Sequence, residues 1–468
     1  MSSETPSFFA TGQSMRADLL VVGGTVMTPN GAEHIDVACA NGRIAALGDL
    51  HGSWSADTTL DATGLHVLPG VIDSQVHFRE PGLTHKEDLE SGTRGAVLGG
   101  VTGVFEMPNT HPLTLWQSDL QAKLDAAHGR AWCDYAFYIG GSAINAEKLG
   151  VLESLPGCAG VKVFMGSSFG DLLADEDWVL RRILRHGTRR LAVHAEDEAR
   201  LRERKALVEA SGNVCQHHFW RDAESALKAT QRIVRLAAET GRRLHVLHVT
   251  TAEEMIFLAQ HKRRVTVETT PHHLTMHAPD CYERLGSLAQ MNPPVREKHH
   301  QDALWKAICD GVVDVIGSDH APHTLEEKVK PYPQSPSGMT GVQTLLPVML
   351  DHVNKGRLSL QRLVDLTSNG SARIFGIEGK GQIALGYDAD LTLVDLAARR
   401  TIRNDWIASR SGWTPYDGMA ITGWPIHTVV RGQLVVRDEQ LVGAPLGKAI
   451  HFLDAPHAQT ALSFGLNT

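Results

Sequence analysis

Eight short apolar runs, separated by longer amphipathic stretches, occupy the middle of the chain, and no other feature limits the fold as severely. The runs fall at residues 67–78, 101–107, 135–139, 160–165, 191–195, 244–249, 265–269 and 312–317. Between them, residues 86–98, 115–127, 175–185, 222–239, 252–260 and 301–309 carry helical spacing. Near-continuous apolar strands joined by helical crossovers predict a parallel sheet covered on both faces. With about eight alternations, a closed (β/α)8 TIM barrel is the economical solution. An open doubly wound sheet would want a glycine-rich phosphate turn after an early strand, and no persuasive one occurs.

At 468 residues the chain can hold such a barrel and something smaller. Residues 19–22, 35–38 and 44–47 read as short strands, broken at the hairpin dipeptides Asn30-Gly31 and Asn41-Gly42. After helical stretches at 342–353 and 360–366, strand texture returns at 381–394 and at 428–436, the latter turning at Arg431-Gly432. The expected organisation is a small β-sandwich domain built from residues 1–66 and 379–445, a barrel over 67–378, and a tail over 446–468. Residues 451–468 give no signal and read as loosely held.

The 45 Lys plus Arg against 53 Asp plus Glu leave a net charge of -8, with the basic residues dispersed. That argues against a nucleic-acid or anionic-membrane surface and for a small-molecule partner, with a homo-oligomer left open. The 6 cysteines are scattered without a close pair, so neither a disulfide framework nor a thiolate zinc site is indicated, and a reducing cytoplasm fits best. Residues 1–13 lack a basic segment followed by a long apolar run, and no run is long enough to span a bilayer. A soluble, unexported protein is expected.

Residues 71–82 look organised for function. As a strand they place Asp73, Gln75, His77 and Arg79 on one face and Ile72, Val76 and Phe78 on the other. Such a polar row suits a strand whose carboxyl end lines a ligand pocket, the competing reading being an edge strand with a wet face. In a barrel, groups at the carboxyl ends of different strands converge on one mouth. His77, Lys162, His194, His248 and Asp319 occupy such positions, and together they look like a metal site. One histidine alone would most often be a satisfied core residue. Regular alternation puts His245 and His248 on opposite faces, so at most one reaches the lumen, His248 being the better placed; the same rule separates Asp319 from His320.

Lys162, flanked by Val161 and Val163, is expensive to bury as an ammonium and cannot ligate a cation while protonated. It must be paired, neutral or modified. Carboxylation by carbon dioxide would make it an anionic ligand able to bridge two metals, the alternative being a buried Lys to Asp ion pair. Asp319 has two candidate jobs, binding a metal and taking the proton from an activated water. Arg79 offers a planar fork for a carboxylate, Asn109 and Asn292 can pair with amides, and His323 follows in Asp-His-Ala-Pro-His. Residues 335–341, with Gly338 and Gly341, form a weak candidate for an anion-binding loop.

These residues resemble the cyclic-amidohydrolase group of the amidohydrolase superfamily, and within it the dihydroorotases. His-Phe-Arg-Glu-Pro-Gly at 77–82 and Met-Pro-Asn-Thr at 107–110 look like motifs shared with allantoinases. Asn-Pro-Pro-Val-Arg at 292–296 and Ser-Asp-His-Ala-Pro-His at 318–323 look more like dihydroorotase. The resemblance implies a zinc-dependent barrel with His77, carboxylated Lys162 and Asp319 on one metal, and Lys162, His194 and His248 on the other. It also implies Arg79, Asn109 and His323 on a substrate carboxylate, Asn292 on the ring, and reversible hydrolysis of dihydroorotate to N-carbamoyl-aspartate. One departure stands out: the group's first strand carries His-x-His, whereas here it reads Gln75-Val76-His77. A Gln carbonyl is a weaker zinc donor than imidazole, so the first metal site is expected to be weakened, empty or differently filled, with the second carrying activity. The alternatives are an allantoinase or hydantoinase, and a non-catalytic scaffold that assembles with a transcarbamoylase. Retention of Lys162, His194, His248 and Asp319 speaks against the scaffold.

Overall fold

The computed structural model describes residues 15–166 and 172–453. The readings of residues 1–13 and of the tail beyond 453 fall outside this range. Eight strands pair in sequence order into one sheet: β1 (Val71–Val76), β2 (Val101–Glu106), β3 (Asp134–Gly140), β4 (Cys158–Phe164), β5 (Leu191–His194), β6 (Leu244–Val246), β7 (Val265–Thr269) and β8 (Val315–Ile316). All neighbouring pairs run parallel, and a parallel bridge between Val76 and His320 brings the last strand's end to the first. The result is a (β/α)8 TIM barrel. Its strands are apolar throughout because both faces are covered. Val104, Val161, Val193, Val246 and Val267 pack outward with helix residues such as Leu180, Ile183, Ile233 and Leu304. Ile72, Phe105, Tyr138, Ala192 and Leu247 form a separate inner cluster.

The run at 67–78 is two strands, not one. His66–Pro69 pairs with Leu391–Thr401 and Thr25–Thr28 in another sheet, and β1 begins after Gly70. Only glycine fits at that handover, since a Cβ there would lie 2.1 Å from Thr102 Oγ1. Hydropathy does not show the break because both sheets bury the chain on either side of it.

That other sheet has seven strands, in the order Gln440–Leu441, Gln433–Arg437, Ala420–Val430, Leu391–Thr401, His66–Pro69, Thr25–Thr28 and Gly31–His34. Segments from both chain ends therefore complete it. A four-stranded sheet (Met15–Val22, Asp36–Ala40, Arg43–Gly48, Trp54–Asp61) faces it, and Leu19, Val37 and Ile44 of one pack with Val26, Val67, Leu391 and Val429 of the other. This is the small β-sandwich. Trp54–Asp61 was not foreseen as a strand: it carries a single fully buried residue, Leu60, and gives little apolar alternation to read. Where sandwich meets barrel, Lys380 Nζ lies 2.7 Å from Asp134 Oδ2 and 3.0 Å from Asp388 Oδ2, and also pairs with Asp390. These three carboxylates are close enough to hold an ion, but the lysine ammonium and Arg431 already supply the positive charge.

The expected helices form with small shifts, for example Leu89–Leu98, capped by Asp88, and Ala223–Thr240, capped by Asp222. Helix Glu198–Ser211 was missed because it buries only Leu201 and Val208. The tail is better held at its start than expected. Leu453 N–H donates to Gly376 O at 2.7 Å, and the Phe452 ring packs edge-on against Phe105. All six cysteines are free, and among the described residues no helix is long and apolar enough to cross a membrane.

Candidate active site

The strand β1 sets up the site through an irregularity. Its pairing with β2 shifts register between Asp73 and Val76. Val71, Val76 and Phe78 consequently lie in the outer layer, while Ile72 joins the inner cluster. The expectation that Ile72 shares a face with Val76 and Phe78 assumed regular alternation, and a bulge breaks it. Ser74 also reaches the lumen, donating to Glu268 Oε2 at 2.7 Å. Gln75 and His77 are aimed at Asp319, which follows β8 from the far end of the barrel sheet.

Asp319 Oδ1 accepts a hydrogen bond from Gln75 Nε2 at 2.8 Å and lies 3.3 Å from His77 Nε2. His77 Nδ1 is 2.8 Å from Asn109 Oδ1. An amide oxygen only accepts, so Nδ1 carries the ring proton and Nε2 presents a lone pair to Asp319. Burial pushes the Asp319 carboxyl up to about 7, against the pull of Lys162. It drives the His77 ring well below its ordinary value, so the imidazole is neutral.

Two more histidines meet beside this group. His194 Nε2 is 2.7 Å from Glu196 Oε2, and His194 Nδ1 is 3.0 Å from His248 Nε2. Glu196 is itself gripped by Arg221, whose Nε lies 3.1 Å from Oε1. Burial opposes the Glu196 charge, yet Arg221 and His194 outweigh it and hold its carboxyl well below the usual range. A carboxylate fixed in this way accepts a hydrogen bond from His194 Nε2–H and leaves Nδ1 bare, the usual support for a metal-binding imidazole.

Lys162 points from β4 with its ammonium 4.5 Å from the centroid of the Phe164 ring. Burial lowers it to about 7, with Asp319 and Glu268 working the other way. Among the described residues it has no ion-pair partner, so the buried Lys to Asp pair is not formed. An amine that titrates near neutrality is partly unprotonated there, which is the form that attacks carbon dioxide.

These residues fit a divalent cation. His194 Nδ1 and His248 Nε2 are two neutral imidazole nitrogens 3.0 Å apart. Two nitrogens bound tetrahedrally to zinc at about 2.05 Å would be roughly 3.3 Å apart, so little movement is needed. Arg79, His248 and Asp319 all adopt left-handed backbone, with φ of 64°, 37° and 47°. Such strain in non-glycine residues gathers at functional sites. At His248 it also explains a correction. His245 lies in the lumen, 2.9 Å from Thr266 Oγ1 and 3.2 Å from Glu268 Oε2. His248 reaches the site as well, because β6 ends at Val246 and alternation no longer applies. Asp319 and His320 do separate as expected: His320 turns to Glu87 and to the Gly341 amide.

Arg79, only 7% exposed, donates from Nε to Pro322 O at 3.1 Å and lies beside His323, Nη2 to Nε2 being 3.3 Å. His323 Nε2 is 3.1 Å from Ser337 O, and Lys86 Nζ is 3.1 Å from His323 Nδ1. The ring therefore donates from Nε2 and accepts at Nδ1, which leaves Arg79 without a charged partner among the described residues. Asn292 is in a different network, with Oδ1 3.0 Å from His217 Nε2, whose Nδ1 meets Tyr332. In the loop 335–341 the amides of its two glycines are already engaged: Gly338 N–H donates to Gln290 O and Gly341 N–H to His320 Nδ1. Sequence reasoning missed Glu196, Arg221, Glu268 and Lys86. Glu196 had a readable signal, lying two residues past His194 in His-Ala-Glu; the other three are brought in only by the fold.

The amidohydrolase family model matches residues 66–435. A dihydroorotase of Methanosarcina mazei is 36% identical over 430 residues, covering 89% of this chain and 93% of the relative. An allantoinase of Salmonella gallinarum is 34% identical over 441 residues, covering 90% and 95%. The solved L-hydantoinase (dihydropyrimidinase) of Arthrobacter aurescens superposes with a TM-score of 0.88 at 30% identity, covering 93% of this chain and 99% of that one. Extent of match, barrel, and histidines facing each other at its mouth agree, and the chain belongs to the amidohydrolase family, as a hydrolytic enzyme of its cyclic-amidohydrolase group.

Proposed function

We propose that this cyclic amidohydrolase acts on dihydroorotate, opening its ring amide reversibly to N-carbamoyl-aspartate in pyrimidine synthesis. The observation that carries the reading is Arg79, a buried guanidinium beside the site with no acidic partner among the described residues. Burying such a charge is costly unless an anion meets it, and a substrate carboxylate is the anion a planar fork suits. The dihydroorotase relatives support the same choice. His323, Asn109 and Asn292 are the further candidates for holding the substrate, and six free cysteines support a cytoplasmic location.

His194, His248 and a carboxylated Lys162 would hold zinc, with His77 and Asp319 the donors facing a second position. When bound, the cation supplies Lewis-acid chemistry to water and to the amide carbonyl. The chain's own residues do the rest. Glu196 and Arg221 fix the His194 ring, and Asn109 fixes that of His77. Asp319, with a carboxyl near 7, accepts the proton of the attacking water at Oδ and returns it to the leaving ring nitrogen. Arg79 holds the carboxylate so that the amide carbon is presented to that water.

The allantoinase and hydantoinase likenesses favour a second reading, in which the ring carries no carboxylate. Replacing Arg79→Gln separates the two. On the first reading KM for dihydroorotate rises by roughly 100-fold, the size of one lost charge-assisted contact of about 3 kcal/mol. Unchanged KM for dihydroorotate would refute the assignment.

A further inference from the structure

Gln75 and Asp319 make a contact that a second cation would have to break. We infer that the centre works with a single divalent cation on the His194 and His248 side, and that the Gln75 carboxamide stands where a second cation would sit. The two halves of the site differ in kind. At His194 and His248, two nitrogen atoms 3.0 Å apart confront each other, with Glu196 taking the only proton His194 has to give. At His77 and Asp319, by contrast, the carboxylate oxygen is already satisfied by the Gln75 N–H2 at 2.8 Å.

Turning the amide over would set Oε1 against Asp319 Oδ1, two acceptors in contact. Asp319 therefore decides the orientation, even though Gln75 Oε1 is left buried without a hydrogen-bond partner among the described residues. Leaving one acceptor unsatisfied carries a cost. Confronting a carboxylate with an amide oxygen in a dry site costs more. To recruit a second cation, the site would have to give up the amide to carboxylate bond and accept a neutral oxygen donor where zinc prefers nitrogen. What remains, one imidazole, the Asp319 carboxylate and a carboxylated Lys162 already shared with the first cation, is short of a nitrogen donor. The amide instead gives Asp319 a fixed donor, holding the carboxylate in place for proton transfer.

Elemental analysis of the purified full chain, loaded with zinc and dialysed, tests this without reference to any substrate. The wild type is expected to retain one zinc per chain and Gln75→His two. Gln75→Glu, which is close to isosteric and puts two carboxylates in contact, is expected to gain the second ion as well. Loaded with manganese, the wild type should give the spectrum of isolated ions in electron paramagnetic resonance, and the variants that of coupled pairs. Two ions in the wild type, none in folded wild type, or one ion in both variants would each overturn the inference.

Discussion

Asp319 is placed between a donor it cannot lose, Gln75, and a lone pair it must answer, that of His77 Nε2. Its carboxyl, pushed up by burial to about 7, can hold and release a proton at neutral pH. Asp319→Asn keeps the shape and the contact with His77 but removes the exchangeable proton. Turnover is expected to drop by roughly 1,000-fold or more, with the circular dichroism of the folded protein retained; turnover near the wild-type level would remove Asp319 from proton transfer. Glu196 acts through His194. Glu196→Gln removes the charge that fixes the ring proton, and zinc affinity is expected to fall about 10- to 100-fold, read by competition with a chelator. At this scale the sequence was informative wherever a residue declares its own chemistry. His77, His194 and Asp319 end strands, and a lysine between two valines is conspicuous. It was silent on Arg221 and Glu268, which matter only because the fold brings them to Glu196 and to Ser74.

Loops, more than strands, hold the substrate end of the site, and one buried lysine ties them. Lys328 Nζ donates to Gln290 O, Pro336 O and Gly338 O at 3.1, 2.8 and 2.9 Å, with no exposure to solvent. It joins the segment leading to Asn292 with the loop whose Ser337 carbonyl accepts from His323. At Gly338 a side chain is excluded, because a Cβ would lie 2.3 Å from Ala321 O and φ is 140°. Lys328→Met takes a hydrogen bond from each of three carbonyls, of which Gln290 O keeps that of Gly338 N–H. Stability is expected to fall by roughly 2–3 kcal/mol in denaturant unfolding, and KM to rise more than kcat falls. Unaltered stability would show that the loops hold without the tie. Strands and most helices were readable from apolar period alone. Elements that failed to announce themselves lack that signal: Glu198–Ser211 buries two residues, and Trp54–Asp61 one. The division of the run at 67–78 was hidden for the opposite reason, an excess of burial on both sides of Gly70.

Across the whole molecule, buried neutral histidines set the response to acid. Burial lowers His217 and His273 to about 3 and His352 to about 4. Each has a folded value below the unfolded 6.5, so the unfolded chain binds the proton more readily. Their contribution to stability is complete above 6.5 and is lost as pH falls toward the folded values. Between pH 6.5 and 4.5 each such group removes on the order of 1.4 kcal/mol per unit. The midpoint of thermal unfolding should therefore fall steeply from pH 7 to 5, whereas a flat profile would mean these rings are protonated in the fold. The barrel and the sandwich shared by both chain ends were legible as architecture. Which cyclic amide enters the mouth is a finer matter and rests on Arg79. Zinc-loaded protein offered dihydroorotate, allantoin and hydantoin in parallel, with ring opening followed by the appearance of the acyclic product, addresses that most directly. Opening of dihydroorotate, with little or none of the two rings that lack a carboxylate, is the expected result; opening of allantoin or hydantoin with dihydroorotate untouched would contradict it.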